Sequence, residues 1–128
     1  ALWQLARGRT ASIKSFIMDS RAVVGIGNIY ASEALFRAGI RPGLAAGRVS
    51  RERMAALVDA IRLVLNEAIE AGGTTLRDYV DPAGTPGYFG TRLMVYERRG
   101  KPCRRCRTPI RQFTQGSRST YWCPRCQR

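Results

Sequence analysis

Residues 103–126 read CRRCRTPIRQFTQGSRSTYWCPRC, and they decide the last part of the fold. Cys103 and Cys106 form one C-x2-C pair, Cys123 and Cys126 a second, with sixteen residues between the pairs. Cysteine pairs at this spacing are a zinc signature. Each pair sits in a tight turn that aims both sulfurs at one point. Two such turns on adjacent hairpins close a tetrahedron of thiolates, which suits Zn²⁺ and leaves no open coordination position. The expectation is one structural zinc ion on Cys103, Cys106, Cys123 and Cys126. Two local disulfides would staple nothing long-range. An iron–sulfur site also takes four thiolates but is the less common use of this spacing.

Around the cysteines the apolar period is two. Leu93 and Val95, then Ile110, Phe113 and Tyr121, predict short strands, with Gly116-Ser117 as a hairpin turn. Apolar residues are few in 92–128, and a module of 37 residues needs a staple. Upstream the period is helical. Two short helical pieces fall in 1–19, the second capped by Ser12 and carrying Ile13, Phe16 and Ile17. A helix begins near Asn28, buries Ile29, Ala31, Leu35 and Phe36, and stops at Gly39 and Pro42. Ser50 caps the longest helix, roughly 51–71, where Met54, Leu57, Val58, Ile61, Val64, Leu65, Ala68 and Ile69 form one stripe. Gly72-Gly73 ends it, and 74–90 is a Gly/Pro loop of a length that is usually functional. The predicted class is α+β: a helical domain over 1–91, including that loop, and a β ribbon over 92–128. Trp3, Phe16, Tyr30 and Phe36 read as core, and Glu33 as a solvated or capping carboxylate.

The charge follows the same division. Of 128 residues, 22 are basic and 9 acidic, a net of +13. Residues 1–91 hold 11 basic and 8 acidic side chains, whereas 92–128 hold 11 basic and one acidic, Glu97. Twenty of the basic residues are Arg, whose forked guanidinium matches phosphate oxygens in pairs, so the pattern favours nucleic acid over a generic polyanion. The basic segment lacks the long amphipathic helix of a membrane-surface binder, and no apolar run approaches the ~18 residues of a span. The opening ALWQLARGR is too short and polar for a signal peptide. With no His in the chain, Ser-His-Asp and Cys-His nucleophile systems are excluded.

In VVGIGNIYASE, 23–33, Gly25 and Gly27 remove side chains where a helix begins and its free N–H groups point outward, which is a phosphate site in waiting. A dinucleotide fingerprint would need Gly at position 30, which is Tyr30. Asn28 adds a donor, and Lys14 on the preceding helix adds a converging charge.

IKSFIMDSRAVVGIGNIYASEALFRAGIRP, then EAGGTTLRDYV, PGYF and CRRC…RSTYWCPRCQR together resemble the C-terminal half of the bacterial formamidopyrimidine-DNA glycosylases, over about Thr10 to Arg128. The endonuclease VIII enzymes share the general plan, but PGYF and the final CPRCQR favour the formamidopyrimidine branch. The resemblance implies a helix-two-turn-helix domain followed by a zinc finger. It implies that Lys14, Gly27, Asn28, Tyr96 and Arg118 hold double-stranded DNA, damaged or abasic duplex above all. It also implies that Thr85, Pro86, Gly87, Tyr88 and Phe89 form the loop that closes over a flipped oxidised purine such as 8-oxoguanine. Such a base must leave the stack to react. A monomer in the bacterial cytoplasm, at the nucleoid, follows from the same resemblance.

Two positions depart from the family pattern: Thr85 stands where many members have Lys, and Arg107 where Gly often follows the second cysteine. A left-handed Arg107 would cost about 1 kcal/mol relative to Gly. The family's nucleophile is an N-terminal Pro amine beside a Glu, on a separate catalytic domain, and no residue of this chain matches it. The expectation is the DNA-binding portion of a base-excision glycosylase and abasic-site lyase, non-catalytic alone. Two rival readings are a free-standing zinc-ribbon nucleic-acid binder and an interaction domain that docks an acidic protein.

Overall fold

A computed structural model of the chain describes residues 2–19, 27–70, 93–115 and 118–128, with only the backbone of 68–70. Two short helices, α1 (Leu2–Ala6) and α2 (Ile13–Asp19), precede α3 (Asn28–Ala38); a 3-10 turn (Ala46–Arg48) leads into α4 (Arg51–Glu70). Strands β1 (Arg111–Gln115) and β2 (Arg118–Trp122) follow.

The helix ends obey the local chemistry. Ser12 Oγ accepts from the Ser15 amide at 3.2 Å and starts α2. Ser50 Oγ accepts from the Arg53 amide at 3.2 Å and starts α4. Helix α3 ends at Gly39, left-handed at φ 74°, with the Gly39 amide bonded to Phe36 O at 3.1 Å and the Ile40 amide to Leu35 O at 3.0 Å. This paired closure satisfies the last carbonyls and turns Ile40 back into the core. At Gly47 a Cβ would lie 2.9 Å from Arg9 O, so only glycine lets the 3-10 turn pass the segment after α1.

The helical core collects Ile13, Phe16 and Ile17 of α2, Ala31, Ala34 and Leu35 of α3, and Met54, Leu57, Ala60, Ile61 and Val64 of α4. Most of the predicted stripe residues that are described are thus buried, and Ala60 joins them, whereas Ile29, Val58 and Leu65 are only half-buried. Trp3 and Tyr30 lie at the rim of this core. Phe36 does not belong to it. It enters a second core with Val95, Cys103, Ile110 and Cys123.

The ribbon is an antiparallel pair in the register Arg111↔Trp122, Phe113↔Thr120 and Gln115↔Arg118. Single bridges join Arg99 to Ile110 and Pro102 to Pro109. The strand expected at Leu93 and Val95 is absent from the described residues. The amides of Met94, Val95 and Tyr96 point instead at the side chain of Glu33, so they have no partner strand to join. The expected boundary at 91/92, the loop 74–90 and the turn Gly116-Ser117 lie outside the described residues.

Candidate metal centre and nucleic-acid interface

The four cysteine sulfurs lie within 4.8 Å of one another. Cys106 Sγ is 3.4 Å from Cys123 Sγ, and Cys103 Sγ is 3.8 Å from Cys126 Sγ. A tetrahedral zinc with bonds of about 2.3 Å needs sulfurs about 3.8 Å apart, so the cluster fits the ion with little adjustment. Each turn is held in the same way. The Arg107 amide bonds Cys103 O at 2.9 Å, and the Gln127 amide bonds Cys123 O at 3.0 Å. Arg107 is left-handed at φ 70°, so the strained conformation foreseen for it is present. Without metal the thiols differ: hydrogen bonds from Thr108 pull Cys106 down to about 6, whereas burial and its sulfur neighbours push Cys126 up. Metal binding therefore releases protons.

The hairpin's other end meets the helix starts. Lys14, only 1 % exposed, gives its ammonium to Thr120 Oγ1 at 2.6 Å and to Ser119 O at 3.4 Å. Asn28, the first residue of α3, gives Nδ2 to the same Ser119 O at 2.9 Å. Thr120 is itself fixed, since its hydroxyl donates to Gln115 Oε1 at 3.2 Å. Gln115 Nε2 reaches Ser12 Oγ, the cap of α2, and Pro42 O. Burial, and then the Arg118 guanidinium, push the Lys14 pKa down to about 8. The Tyr96 phenol is raised chiefly by burial, against a hydrogen bond with Asn28 that lowers it, and its ring stands edge-on to Tyr121 at 5.0 Å. Arg118 is exposed at the start of β2.

Lys14, Gly27, Asn28, Tyr96 and Arg118 are therefore brought to one place, although they come from positions far apart in the chain. Thr85, Pro86, Gly87, Tyr88 and Phe89 lie outside the described residues.

Sequence reasoning missed two buried polar residues. Glu33 is not solvated: it is 1 % exposed and accepts three backbone amides, from Met94 at 2.8 Å, Val95 at 2.9 Å and Tyr96 at 3.0 Å. Gln127 is buried between the second cysteine turn and the end of α3. It accepts from the Cys123 amide at 2.8 Å and donates to Ile40 O at 2.9 Å. The one sequence signal for Glu33 was its place on the α3 face that also carries Ile29 and Phe36.

Residues 1–80 match the profile of the formamidopyrimidine-DNA glycosylase H2TH domain. The chain belongs to this glycosylase family. Residues 100–128 match the zinc finger found in FPG and IleRS. The formamidopyrimidine-DNA glycosylase of Syntrophotalea carbinolica is 64% identical over 127 residues, 99% of this chain and 47% of that protein. That of Burkholderia thailandensis is 58% identical over 99% of this chain and 46% of that protein. The chain spans about half the length of the curated relatives it matches. Among solved structures, the MutM (FPG) protein of Thermus thermophilus is 41% identical, with a TM-score of 0.85 over 98% of this chain and 48% of that one. A Lactococcus lactis FPG mutant in complex with a Fapy-dG containing DNA is 31% identical, with a TM-score of 0.86 over 99% of this chain and 46% of that one. The α+β arrangement is that of the C-terminal half of these glycosylases. The finger and the sulfur cluster together make Cys103, Cys106, Cys123 and Cys126 the ligands of one structural zinc.

Proposed function

We propose that this chain is the DNA-binding portion of a base-excision glycosylase and abasic-site lyase for oxidised purines. It would hold the phosphates around an extruded nucleotide through Lys14, Asn28, Tyr96, Arg118 and the start of α3 at Gly27. The observation that carries this reading is the meeting of Lys14 and Asn28, from two helices, on Ser119, next to Arg118. Donors from separate elements that converge on one spot suit a phosphate, whose contacts fix position rather than sequence. Gly27 supports it further. A Cβ there would meet no atom within 4 Å, and its φ of −96° suits any residue, so the described protein has no need of glycine at that position. A phosphate approaching the helix start does need it. The loop of residues 85–89 is proposed to cover the flipped base. The bacterial relatives are consistent with a cytoplasmic protein, and placement at the nucleoid is part of the proposal.

The test is binding of the 128-residue chain to abasic duplex, intact duplex and RNA across a salt series. With about 4–6 phosphates neutralised, the log–log slope on duplex is about −4 to −5, with abasic duplex bound best because kinked DNA is cheaper to deform. Gly27→Ala weakens this binding and leaves the melting temperature unchanged. A flat salt response, or RNA bound as well as duplex, overturns the reading. The chain as it stands is further proposed to bind without excising. Borohydride trapping tests this: a covalent adduct at Lys14 or at the amine of Ala1 would show catalysis.

A further inference from the structure

We propose that Glu33 is a positioning residue of the DNA-contact site, whose carboxylate sets the 94–96 turn and thereby holds Tyr96 against Asn28. This rests on the reading of that site given above.

A carboxylate in a protein interior is costly unless its oxygens are satisfied. Glu33 Oε1 accepts from Met94, and Oε2 accepts from both Val95 and Tyr96. Three consecutive amides aimed at one anion form a nest, a backbone arrangement that binds negative charge. Here the anion is supplied by the protein itself. The turn is closed behind it by the Arg98 amide on Val95 O at 3.0 Å and by Glu97 in a left-handed conformation, φ 58°. Without an acceptor, amides of the turn would be left without a partner, and the 94–96 backbone would have reason to rearrange.

The position of this nest gives it a function. Asn28 and Glu33 lie on the same helix, α3. Asn28 contacts the hairpin and the Tyr96 phenol, while Glu33 holds the backbone that carries Tyr96. The helix that begins at the phosphate site therefore also fixes a side chain arriving from the far side of the chain. Apolar packing of Val95 on Phe36 sets the depth of the turn, and the carboxylate sets its orientation.

The experiment is a double-mutant cycle on the full 128-residue chain, read as affinity for abasic duplex. In Glu33→Gln, the amide group presents a donor to backbone donors. Expected are a loss of about tenfold in affinity, a smaller loss in Tyr96→Phe, and a double variant within about twofold of the weaker single, because both changes act through one side chain. Zinc content stays at one ion per chain. Glu33→Asp keeps the charge but withdraws it by about 1.5 Å, and it binds DNA better than Glu33→Gln. If Glu33→Gln does not fold, the same cycle with Glu33→Asp decides. Parent-like affinity of the Glu33 variant beside a weakened Tyr96→Phe overturns this inference and leaves the DNA-binding reading standing. Losses that multiply in the double variant also overturn it, since Glu33 would then act apart from Tyr96. No DNA binding by the parent, or no effect of Tyr96→Phe, overturns the reading of the site itself.

Discussion

The helices share a core of seventeen buried apolar side chains among the described residues, whereas the ribbon's core has five, two of them cysteines and one, Phe36, lent by α3. The first region is held by area removed from water, at roughly 25 cal/mol per Å². The second is held by sulfur, by metal and by buried polar groups that cross the boundary: Lys14 and Glu33 from the helices, and Gln127 from the ribbon. A small β module can thus reside on a helical base without a full core of its own when polar groups such as Lys14, Glu33 and Gln127 are paired across the boundary. Lys14, and the Tyr96 backbone that Glu33 holds, belong to the candidate DNA contacts, so stability and binding are tied together where the helices meet the ribbon.

Zinc removal is the largest test of that difference. Chelation is expected to unfold 93–128, abolish DNA binding and leave most of the helical circular dichroism, because metal affinity in such a module is folding free energy. The two tryptophans report separately: Trp122 fluorescence moves and Trp3 fluorescence stays. Loss of both signals at one chelator concentration would mean that the helices depend on the ribbon as much as the ribbon does on them.

Next in size is the contact series. Arg118→Ala is expected to weaken duplex binding most, by about 1.5 kcal/mol or tenfold, with Lys14→Ala and Asn28→Ala behind it. Arg118 is exposed and its removal leaves the ribbon folded, whereas Lys14→Ala also takes a partner from Thr120. Parent-like affinity in all three variants would remove the site from this face.

The effect of pH should be smaller. Lys14 holds its proton more weakly in the folded chain, at about 8, than at the ordinary lysine value of 10.5. Between those values the unfolded chain binds more protons, so this group's penalty on folding is fully present below pH 8 and is relieved as pH rises towards 10.5. Relative to Lys14→Met, the parent should gain stability in urea unfolding between pH 7 and pH 9.5. A phosphate ligand favours the ammonium, so affinity for DNA should fall over the same interval. A stability difference that does not change with pH would show that Lys14 keeps an ordinary pKa.

Much of this was legible in the residues. Ser12, Gly39 and Ser50 mark helix ends by their own chemistry, and the cysteine spacing names a metal centre without any coordinates. The helical stripes were legible because period 3.6 is a local property. The strand at Leu93 and Val95 misled because alternation says that a residue is half-buried, not what its amides bond to. Those amides go to Glu33, 61 residues or more away in the chain. Glu33, Gln127 and the burial of Lys14 were unreadable for the same reason: a polar residue looks solvated until the partner that satisfies it is known.

The smallest expected effect concerns one cysteine turn against the other. Arg107 and Gln127 occupy equivalent places, but Arg107 is exposed in a left-handed conformation and Gln127 is buried. Arg107→Gly relieves about 1 kcal/mol of strain, partly offset by a more flexible unfolded chain, and should raise the ribbon's melting temperature by a few degrees. No change, or a decrease, would show that the Arg107 side chain contributes more than its backbone costs.

The bond from Lys14 to Thr120 spans 106 residues, and this gives the molecule an order of assembly. At about 5–20 residues per second, a ribosome takes about 5–20 s to deliver the second partner after the first. During that interval the helical layer can close, while Lys14, Asn28 and Glu33 remain open to water or to whatever anion is nearby. The proposed phosphate site would therefore exist in outline on the nascent chain before the hairpin arrives to complete it, and the last turn of the ribbon to be synthesised is the one that Gln127 locks onto α3.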